Sequence, residues 1–465
     1  MDTRQNGKIM TKIFIHDEFE PEASAMLQAL YSRSAESVET HVEKVRERGS
    51  AKFMESYYVG YGHASIGDCG TTTIFIEGLS ILATKAIQDN PLYSGQETST
   101  RYIDFSRQEI LDPVGTGETR SILDDWLEFY TGSTGELVEH LKAQHPAQEG
   151  QKATVWEKAI NARAFDILRG FLPAGITTQL SWSTNLRQAY DKLTLLRHHP
   201  LREIRDIANS TLELLKAKYP SSFGHPLNPE QEAYLERHGF PMNYSVLASD
   251  GNAPEFAYEC GIDNPLLESE ALPLISERPP RTNLPRLLSR YGRYRCRFNL
   301  DYGSFRDLQR HRNGLCRIPL LTDKLGFHEW YLAQLPEVLR SGAEALIARQ
   351  LDRVNALDKD GLSAVDRQHY LPLGMKVACE VVYDLPEMVY VTELRAGSTV
   401  HPTLRIVAHR MHDAMAREHP NLKLYSDLSV DPWDIRRGEQ DILKRGPRAE
   451  GRGLGPWPSA PALSP

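Results

Sequence analysis

A short stretch of the first half carries hydroxyl groups and an arginine at a spacing that suits a phosphate group. It spans residues 94–102 and includes Ser99 and Arg101. A bound phosphate needs fixed cationic donors and hydroxyls, and arginine is preferred because its guanidinium fork matches the oxyanion. Arg169, further along the chain, can offer a second guanidinium. These residue types predict a site for a phosphorylated ligand.

Two more segments precede this stretch in a fixed order. Residues 62–68 read Gly-His-Ala-Ser-Ile-Gly-Asp, and residues 76–80 read Ile-Glu-Gly-Leu-Ser at the end of a β-branched run. The ordered set resembles the flavin-dependent thymidylate synthases, which carry a GHxSxxE-type element, a strand, an IEGxS-like helix start and the signature RHRxxSxNxxSxRY. The second part of that signature matches Ser94, Gln96 (in place of Asn), Ser99, Arg101 and Tyr102.

The first three residues of the signature are missing from the first half and present in the second. Asp89-Asn90-Pro91 stands where the family has Arg-His-Arg, whereas Arg310-His311-Arg312 occurs about one module length downstream. Taken alone, such a triplet is more often a solvated surface cluster than a site. Its position favours a site, although the rest of the signature is lost after it. The halves resemble two tandem copies that have degenerated in complementary ways.

Later elements of the family are also recognisable. Residues 169–173, Arg-Gly-Phe-Leu-Pro, resemble its RxxLP element, and residues 185–187, Asn-Leu-Arg, resemble its NxR element. A flavin enzyme of this kind relies on an electrophilic arginine that polarises the pyrimidine ring. Arg395 fits the spacing of the family's terminal element better than Arg197 does. Arg395 is therefore the first candidate for the catalytic arginine and Arg197 the second.

The resemblance implies two sets of binding residues. Substrate contacts are expected from Glu97, Ser99, Thr100, Arg101 and Arg169. Contacts with FAD are expected from His63, Ser65, Asp68, Asn185, Arg187, Arg310, His311 and Arg312. Because sites of the family lie between subunits of a homotetramer, the triplet of one half and the phosphate-binding stretch of the other are expected to form one composite site. The opposite combination is expected to be empty.

The composition is that of a soluble globular protein with 465 residues, 40% hydrophobic and 25% charged. A net charge of -8 argues against a general affinity for nucleic acid. The five cysteines are scattered and form no CxxC pair, so neither a disulfide framework nor a bound metal is expected. Neither a signal peptide nor a membrane span is predicted. A cytoplasmic protein is expected.

Hydrophobic periodicity predicts a matched set of elements in each half. Strands are predicted at residues 12–15, 71–76 and 294–300, and interrupted helical pairs at residues 185–219 and 385–415. The resemblance implies an α/β (α+β) fold in which each half is a mainly antiparallel twisted sheet with flanking helices, so that the chain mimics a dimer. The predicted domains are residues 1–225 and 226–438, followed by a disordered tail at 439–465.

The predicted reaction is methylation of a uridine nucleotide at C5, dUMP to dTMP, with methylenetetrahydrofolate and NADPH as co-substrates of the flavin. A homodimer would then correspond to the family's tetramer. Two alternatives stay open: a related flavoenzyme that acts on another pyrimidine nucleotide, and a flavin- or nucleotide-binding protein that has lost catalysis.

Overall fold

The computed structural model describes residues 4–5, 8–9, 12–16, 20–31, 64–101, 103–224, 228–245, 253–359 and 361–430. Apart from a short pair at Arg4–Gln5 and Lys8–Ile9, the described strands form two antiparallel sheets of four strands. The sheet of the first half contains β1 (Lys12–His16), β2 (Thr71–Ser80), β3 (Ser94–Glu97) and β4 (Thr177–Asn185), in the order β1-β2-β4-β3.

The sheet of the second half repeats this order. It contains β5 (Phe256–Cys260), β6 (Arg293–Asp301), β7 (Leu315–Cys316) and β8 (Lys376–Asp384), arranged β5-β6-β8-β7. β2 pairs with β4 from Thr71↔Asn185 to Ser80↔Thr177, and β6 pairs with β8 from Arg293↔Asp384 to Asp301↔Lys376. β2 has one extra residue, which forms a bulge at Gly78 with a φ of 74°.

Long helices flank the sheets. In the first half they are α1 (Pro21–Tyr31), α2 (Ile81–Gln88), α3 (Gly117–Gln144), α4 (Ala153–Leu168), α5 (Leu186–Leu196) and α6 (Arg202–Lys218). A connecting helix, α7 (Pro229–Asn243), leads to α8 (Asn264–Ser276), α9 (Tyr302–Leu308), α10 (Glu337–Lys359), α11 (Leu385–Arg395) and α12 (Pro402–Glu418). Each half thus ends in a pair of helices of 11 and 17 residues.

Polar residues at the strand ends start the helices that carry the site. Ser80 and Asp301 end β2 and β6, and each side chain accepts a hydrogen bond from a main-chain N–H in the first turn of the next helix. Asn185 and Asp384 do the same for α5 and α11. Each cap satisfies a donor that has no partner within its helix, so these four strands pass directly into helices. These four residues give matched reference points in the two halves.

The two halves pair reciprocally at their Leu-Pro elements. Pro173 and Pro372 face each other in an isolated antiparallel bridge. On one side Ala174 N donates to Leu371 O, and on the other Leu373 N donates to Leu172 O, both at 2.9 Å. Such reciprocity is that of an isologous interface between subunits. The buried apolar side chains of both halves form one continuous cluster.

The predicted fold class, strands and helical pairs are confirmed, with element ends shifted by a few residues. The predicted domain boundary between residues 225 and 226 and the predicted tail at 439–465 lie outside the described residues. None of the described helices is long and apolar enough to cross a membrane.

Candidate functional site

Arg101 links the phosphate-binding stretch to both halves of the molecule. Its Nε and Nη2 donate to the two carboxylate oxygens of Asp166, on α4, at 2.7 and 3.0 Å. Nη2 also donates to the main-chain oxygen of Thr399, 3.1 Å away in the loop between α11 and α12. The guanidinium of the first half is therefore fixed against a loop of the second half. Ser99 supports this turn by accepting a hydrogen bond from the Arg101 main-chain N–H.

The Arg-His-Arg triplet follows α9 and meets the end of α11. Arg395 Nε donates to His311 Nε2 at 2.7 Å, and its Nη2 donates to the main-chain oxygen of Asp307 at 2.6 Å. Burial and the neighbouring Arg395 lower the pKa of His311 to about 3. The imidazole is therefore neutral at physiological pH, as it must be to accept a hydrogen bond through Nε2.

Four arginines lie within electrostatic reach of the Asp307 carboxylate. Burial favours its neutral form, but Arg310, Arg101, Arg395 and Arg169 together lower its pKa to about 2. Two of them come from each half, and we call these four the arginine cluster. Its four cations outnumber the three adjacent carboxylates, Asp307, Asp166 and Asp301. Burial makes the field of the excess cations strong, which suits an anionic ligand.

Arg169 and Arg310 differ in access. Arg169 is 1% exposed, and its Nη2 donates to Ser304 Oγ of the second half at 2.8 Å. The side chain of Arg310 is 46% exposed and lies 3.7 Å from Asp307. Arg312 places its guanidinium over the Tyr93 ring, 4.8 Å from the centroid, which is a cation–π contact between the halves. Arg310 is the most accessible of the cluster arginines.

Glu97 and Thr100 join the halves rather than line an open space. The Glu97 carboxylate forms buried ion pairs with Lys85, at 2.8 Å, and with Arg306. Thr100 Oγ1 accepts a hydrogen bond from Arg306 Nη1 at 3.0 Å. Burial opposes ionisation of Glu97, but Arg306 and Lys85 prevail and lower its pKa. Contact of these two side chains with substrate stays a prediction.

The remaining flavin candidates lie at the far end of the first sheet. Arg187 binds both carboxylate oxygens of Asp68 at 2.8 Å, and Asn185 caps α5. Thr98 N pairs with Gln179 O, six residues of β4 from Asn185, so the end of the phosphate-binding stretch that carries Ser99 and Arg101 lies about 20 Å from Asn185. Asp68, Asn185 and Arg187 are thus not brought to the arginine cluster. His63 and the side chain of Ser65 lie outside the described part of the chain.

Arg197, the second candidate for the catalytic arginine, lies apart from the cluster. Counted from the matched caps Asn185 and Asp384, the residue corresponding to Arg395 is Leu196. Arg197 Nε donates to Asn209 at 2.8 Å, and its Nη1 forms an ion pair with Glu232 of the connecting helix at 3.1 Å. The structure therefore groups Arg395, and not Arg197, with the other candidate residues.

The matched sheet registers also locate a second place between the halves, where the roles of the two halves are exchanged. Every arginine of the cluster is replaced there. We call it the counterpart site, and its residues are Thr322 for Arg101, Gln368 for Arg169, Asp89 for Arg310 and Leu196 for Arg395. It also lacks the acids, since Ala86 corresponds to Asp307 and Val365 to Asp166.

The connecting segment after α7 packs into the counterpart site. Tyr244 is buried, its hydroxyl accepts a hydrogen bond from Gln368 Nε2 at 3.0 Å, and its ring meets His199 edge-on at 5.4 Å. Ser245 hydrogen-bonds with Ile318 and Leu320, which correspond to Glu97 and Ser99. The polar side chain that replaced Arg169 is thereby satisfied within the protein.

Two acids of the site were missed from the sequence alone. Asp307 precedes Arg310 by three residues, and Asp166 precedes Arg169 by three residues. An acid three positions before a candidate arginine on a helix is a usable signal, because such residues lie on the same face. Thr399 contributes its main-chain oxygen, and no pattern of side chains marks it. Among the described residues, no group of His, Cys, Asp or Glu is arranged to hold a metal ion.

Comparison with known proteins finds a family match in the first half of the chain. Residues 15–221 match the sequence profile of the family described as thymidylate synthase complementing protein. The predicted resemblance to flavin-dependent thymidylate synthases is confirmed over this part of the chain.

Related proteins span both halves or one. A UPF0159 protein from Chlamydia muridarum is 25% identical over 455 residues, covering 85% of this chain and 84% of that protein. A flavin-dependent thymidylate synthase from Corynebacterium efficiens is 25% identical over 164 residues, covering 35% of this chain and 64% of that protein.

Solved structures that match cover about half of the chain. The UMP/dUMP methylase PolB from Streptomyces cacaoi with 5-Br dUMP is 16% identical with a TM-score of 0.32, covering 47% of this chain and 94% of that one. The flavin-dependent thymidylate synthase from Helicobacter pylori with FAD and dUMP is 15% identical with a TM-score of 0.29, covering 46% and 97%.

Proposed function

We propose that the protein catalyses FAD-dependent methylation of a uridine nucleotide at C5, converting dUMP to dTMP with methylenetetrahydrofolate as carbon donor and NADPH as reductant. The arginine cluster is the observation that carries this proposal. It joins Arg101 of the retained phosphate-binding stretch to Arg310 and Arg395 of the complementary half. The counterpart site lacks all four arginines, so each chain has one composite active site.

Arg395 is proposed as the catalytic arginine. Its guanidinium is fixed by His311 on one side and by the Asp307 main-chain oxygen on the other. A fixed cation stabilises negative charge that develops on a uracil carbonyl oxygen while C5 attacks the carbon donor and its hydrogen leaves as a proton. Arg101 is proposed to hold the phosphate, because Asp166 and Thr399 already orient its guanidinium.

The residues present fit a flavin dinucleotide beside the nucleotide. Arg310 is half exposed, and the buried Nε of Arg312 has no hydrogen-bond partner in the described structure, so both can donate to pyrophosphate oxygens. When bound, the flavin supplies the hydride, derived from NADPH, that completes the methyl group. Asp68, Asn185 and Arg187 lie too far away to complete the same flavin site within one chain. We therefore propose a homodimer in which they serve the site of the second copy.

Titration of the purified protein with FAD and dUMP tests the proposal at the level of binding. One FAD and one dUMP per chain are expected. Two tightly bound FAD per chain would contradict the single composite site. Release of tritium from C5-labelled dUMP that depends on both the folate and NADPH tests the reaction itself.

Other outcomes of the same assays distinguish the alternatives. Tritium release from another uridine nucleotide but not from dUMP would favour a related flavoenzyme with a different substrate. Bound flavin and nucleotide without release from any uridine nucleotide would favour a protein that has lost catalysis.

A further inference from the structure

Asp166 contacts Arg101, the arginine proposed to hold the phosphate, and belongs to no motif of the family. Its carboxylate is fully buried on α4 and accepts two hydrogen bonds from Arg101, through Nε and Nη2. We propose that Asp166 is a positioning residue of the nucleotide site, which holds Arg101 in the orientation that receives the phosphate. This inference rests on the proposed function.

The two-point contact explains why a carboxylate is needed. Parallel N–H···O bonds fix the plane of the guanidinium as well as its distance. Without these two bonds the plane of the guanidinium could rotate about the long side chain, whose rotamers are costly to freeze. Asp166 freezes Arg101 during folding, so that the ligand does not bear this entropy when it binds.

The main chain of Asp166 is tied to the second buried arginine. His401 Nε2 lies 3.2 Å from Asp166 O, and because a carbonyl only accepts, Nε2 carries the proton. His401 Nδ1 is 3.3 Å from Ser304 Oγ, which in turn accepts from Arg169 Nη2 at 2.8 Å. The residue that fixes Arg101 is thus also connected to the network that holds Arg169.

The duplicated chain provides an internal control for this role. In the counterpart site, Val365 replaces Asp166 and Thr322 replaces Arg101. The acid is absent where the arginine is absent, although both positions exist in both halves. A buried carboxylate that loses its arginine is strongly destabilising, so the pair persists or disappears together.

The experiment compares Asp166→Asn with Val365→Asn, its matched control in the other half. Asparagine keeps the shape but turns one acceptor into a donor that faces an Arg101 N–H. The dissociation constant for dUMP is expected to rise about tenfold to a hundredfold in Asp166→Asn, as for a displaced contact residue. It should stay within twofold of wild type in Val365→Asn.

Deoxyuridine, which lacks the phosphate, separates positioning from general damage to the fold. Its affinity should be the same for wild type and Asp166→Asn, whereas a site that is merely distorted would lose both ligands. Asp166→Glu should restore part of the dUMP affinity. In thermal unfolding, Asp166→Asn and Arg101→Lys should be non-additive by about tenfold in the folding equilibrium constant.

The failures are distinguishable. A wild-type protein that binds no uridine nucleotide overturns the proposed function and this inference with it. Wild-type affinity for dUMP in a folded Asp166→Asn protein overturns the positioning role alone. Equal losses of dUMP and deoxyuridine affinity also overturn it.

Discussion

The arginine cluster and the counterpart site lie at matching places in the two halves, yet one gathers cations and the other excludes them. Both follow the same strand ends and helix caps, and both face the junction of the halves. In the cluster, four arginines surround Asp307. In the counterpart, the Tyr244 ring packs edge-on against His199, and its hydroxyl accepts a hydrogen bond from the neutral Gln368. Both halves keep the same frame, and only one of the two sites has the arginines.

This difference shows why a duplicated chain can lose half of each motif. In a symmetric oligomer of identical subunits, a substitution changes every site at once. In a fused pair, each half can lose the residues that serve only the counterpart site, as Asp89 and Thr322 illustrate. The connecting segment could then occupy the counterpart site without harming the remaining one.

Removing an arginine of the cluster should have the largest effect. Arg101→Ala, Arg310→Ala and Arg395→Ala are each expected to lower kcat/KM for dUMP by about 100- to 1,000-fold, as loss of a preorganised cation does. Thr322→Ala, at the position that corresponds to Arg101, should leave kcat/KM within about twofold in the same assay. A comparable loss in Thr322→Ala would show that the counterpart site also works.

Truncation of Tyr244, which fills the counterpart site, should lower stability and leave dUMP binding unchanged. Tyr244→Ala is expected to reduce the free energy of unfolding by about 3 to 5 kcal/mol, because it leaves a cavity and removes one hydrogen-bond acceptor of Gln368 Nε2. Denaturant titration measures the loss. The ratio of dUMP to chain should stay at one, and a ratio of two would mean that Tyr244 masks a functional site.

Replacement of the two buried histidines, His311 and His199, should have different effects on activity but the same effect on the pH dependence of stability. Burial lowers the pKa of both His311 and His199 to about 3. Because the unfolded chain titrates near pH 6.5, it binds more protons than the folded chain between about pH 6.5 and 3. Stability should therefore fall as pH falls through this window, by at most about 1.4 kcal/mol per pH unit for each histidine.

Replacement by glutamine tests this reasoning. His311→Gln and His199→Gln should each make the free energy of unfolding less dependent on pH below 6.5, measured by denaturant titration at several pH values. Only His311→Gln should lower kcat, because His311 fixes Arg395. A loss of kcat in His199→Gln would contradict the assignment of function to one site.

The smallest effect on stability is expected at the far end of the first sheet. The side chains of Arg187 and Asp68 are 37% and 32% exposed, so their ion pair should contribute no more than about 1 kcal/mol. Arg187→Ala should nevertheless weaken FAD binding, measured by flavin fluorescence, if these residues serve the flavin of the second copy. Unchanged FAD affinity would remove them from the flavin site.

Much of the frame could be predicted from the sequence, because it depends on local patterns. The alternation in β6 follows from side-chain burial on one face, and α5 and α11 begin at cap residues that the sequence displays. The motif order also predicted that the rest of the signature is lost after the triplet of the second half. The sheet registers place Leu320 and Thr322 at the positions that correspond to Ser99 and Arg101.

The site itself depended on contacts between distant parts of the chain. The sequence determined the residue types, Arg101 in one half and the triplet in the other, since those are local. Only the tertiary structure showed that Asp166 and Thr399 fix Arg101, that Asp307 lies among four arginines, and that Arg197 lies elsewhere. These facts depend on how two sheets pack at Pro173 and Pro372, a long-range arrangement that no local pattern encodes.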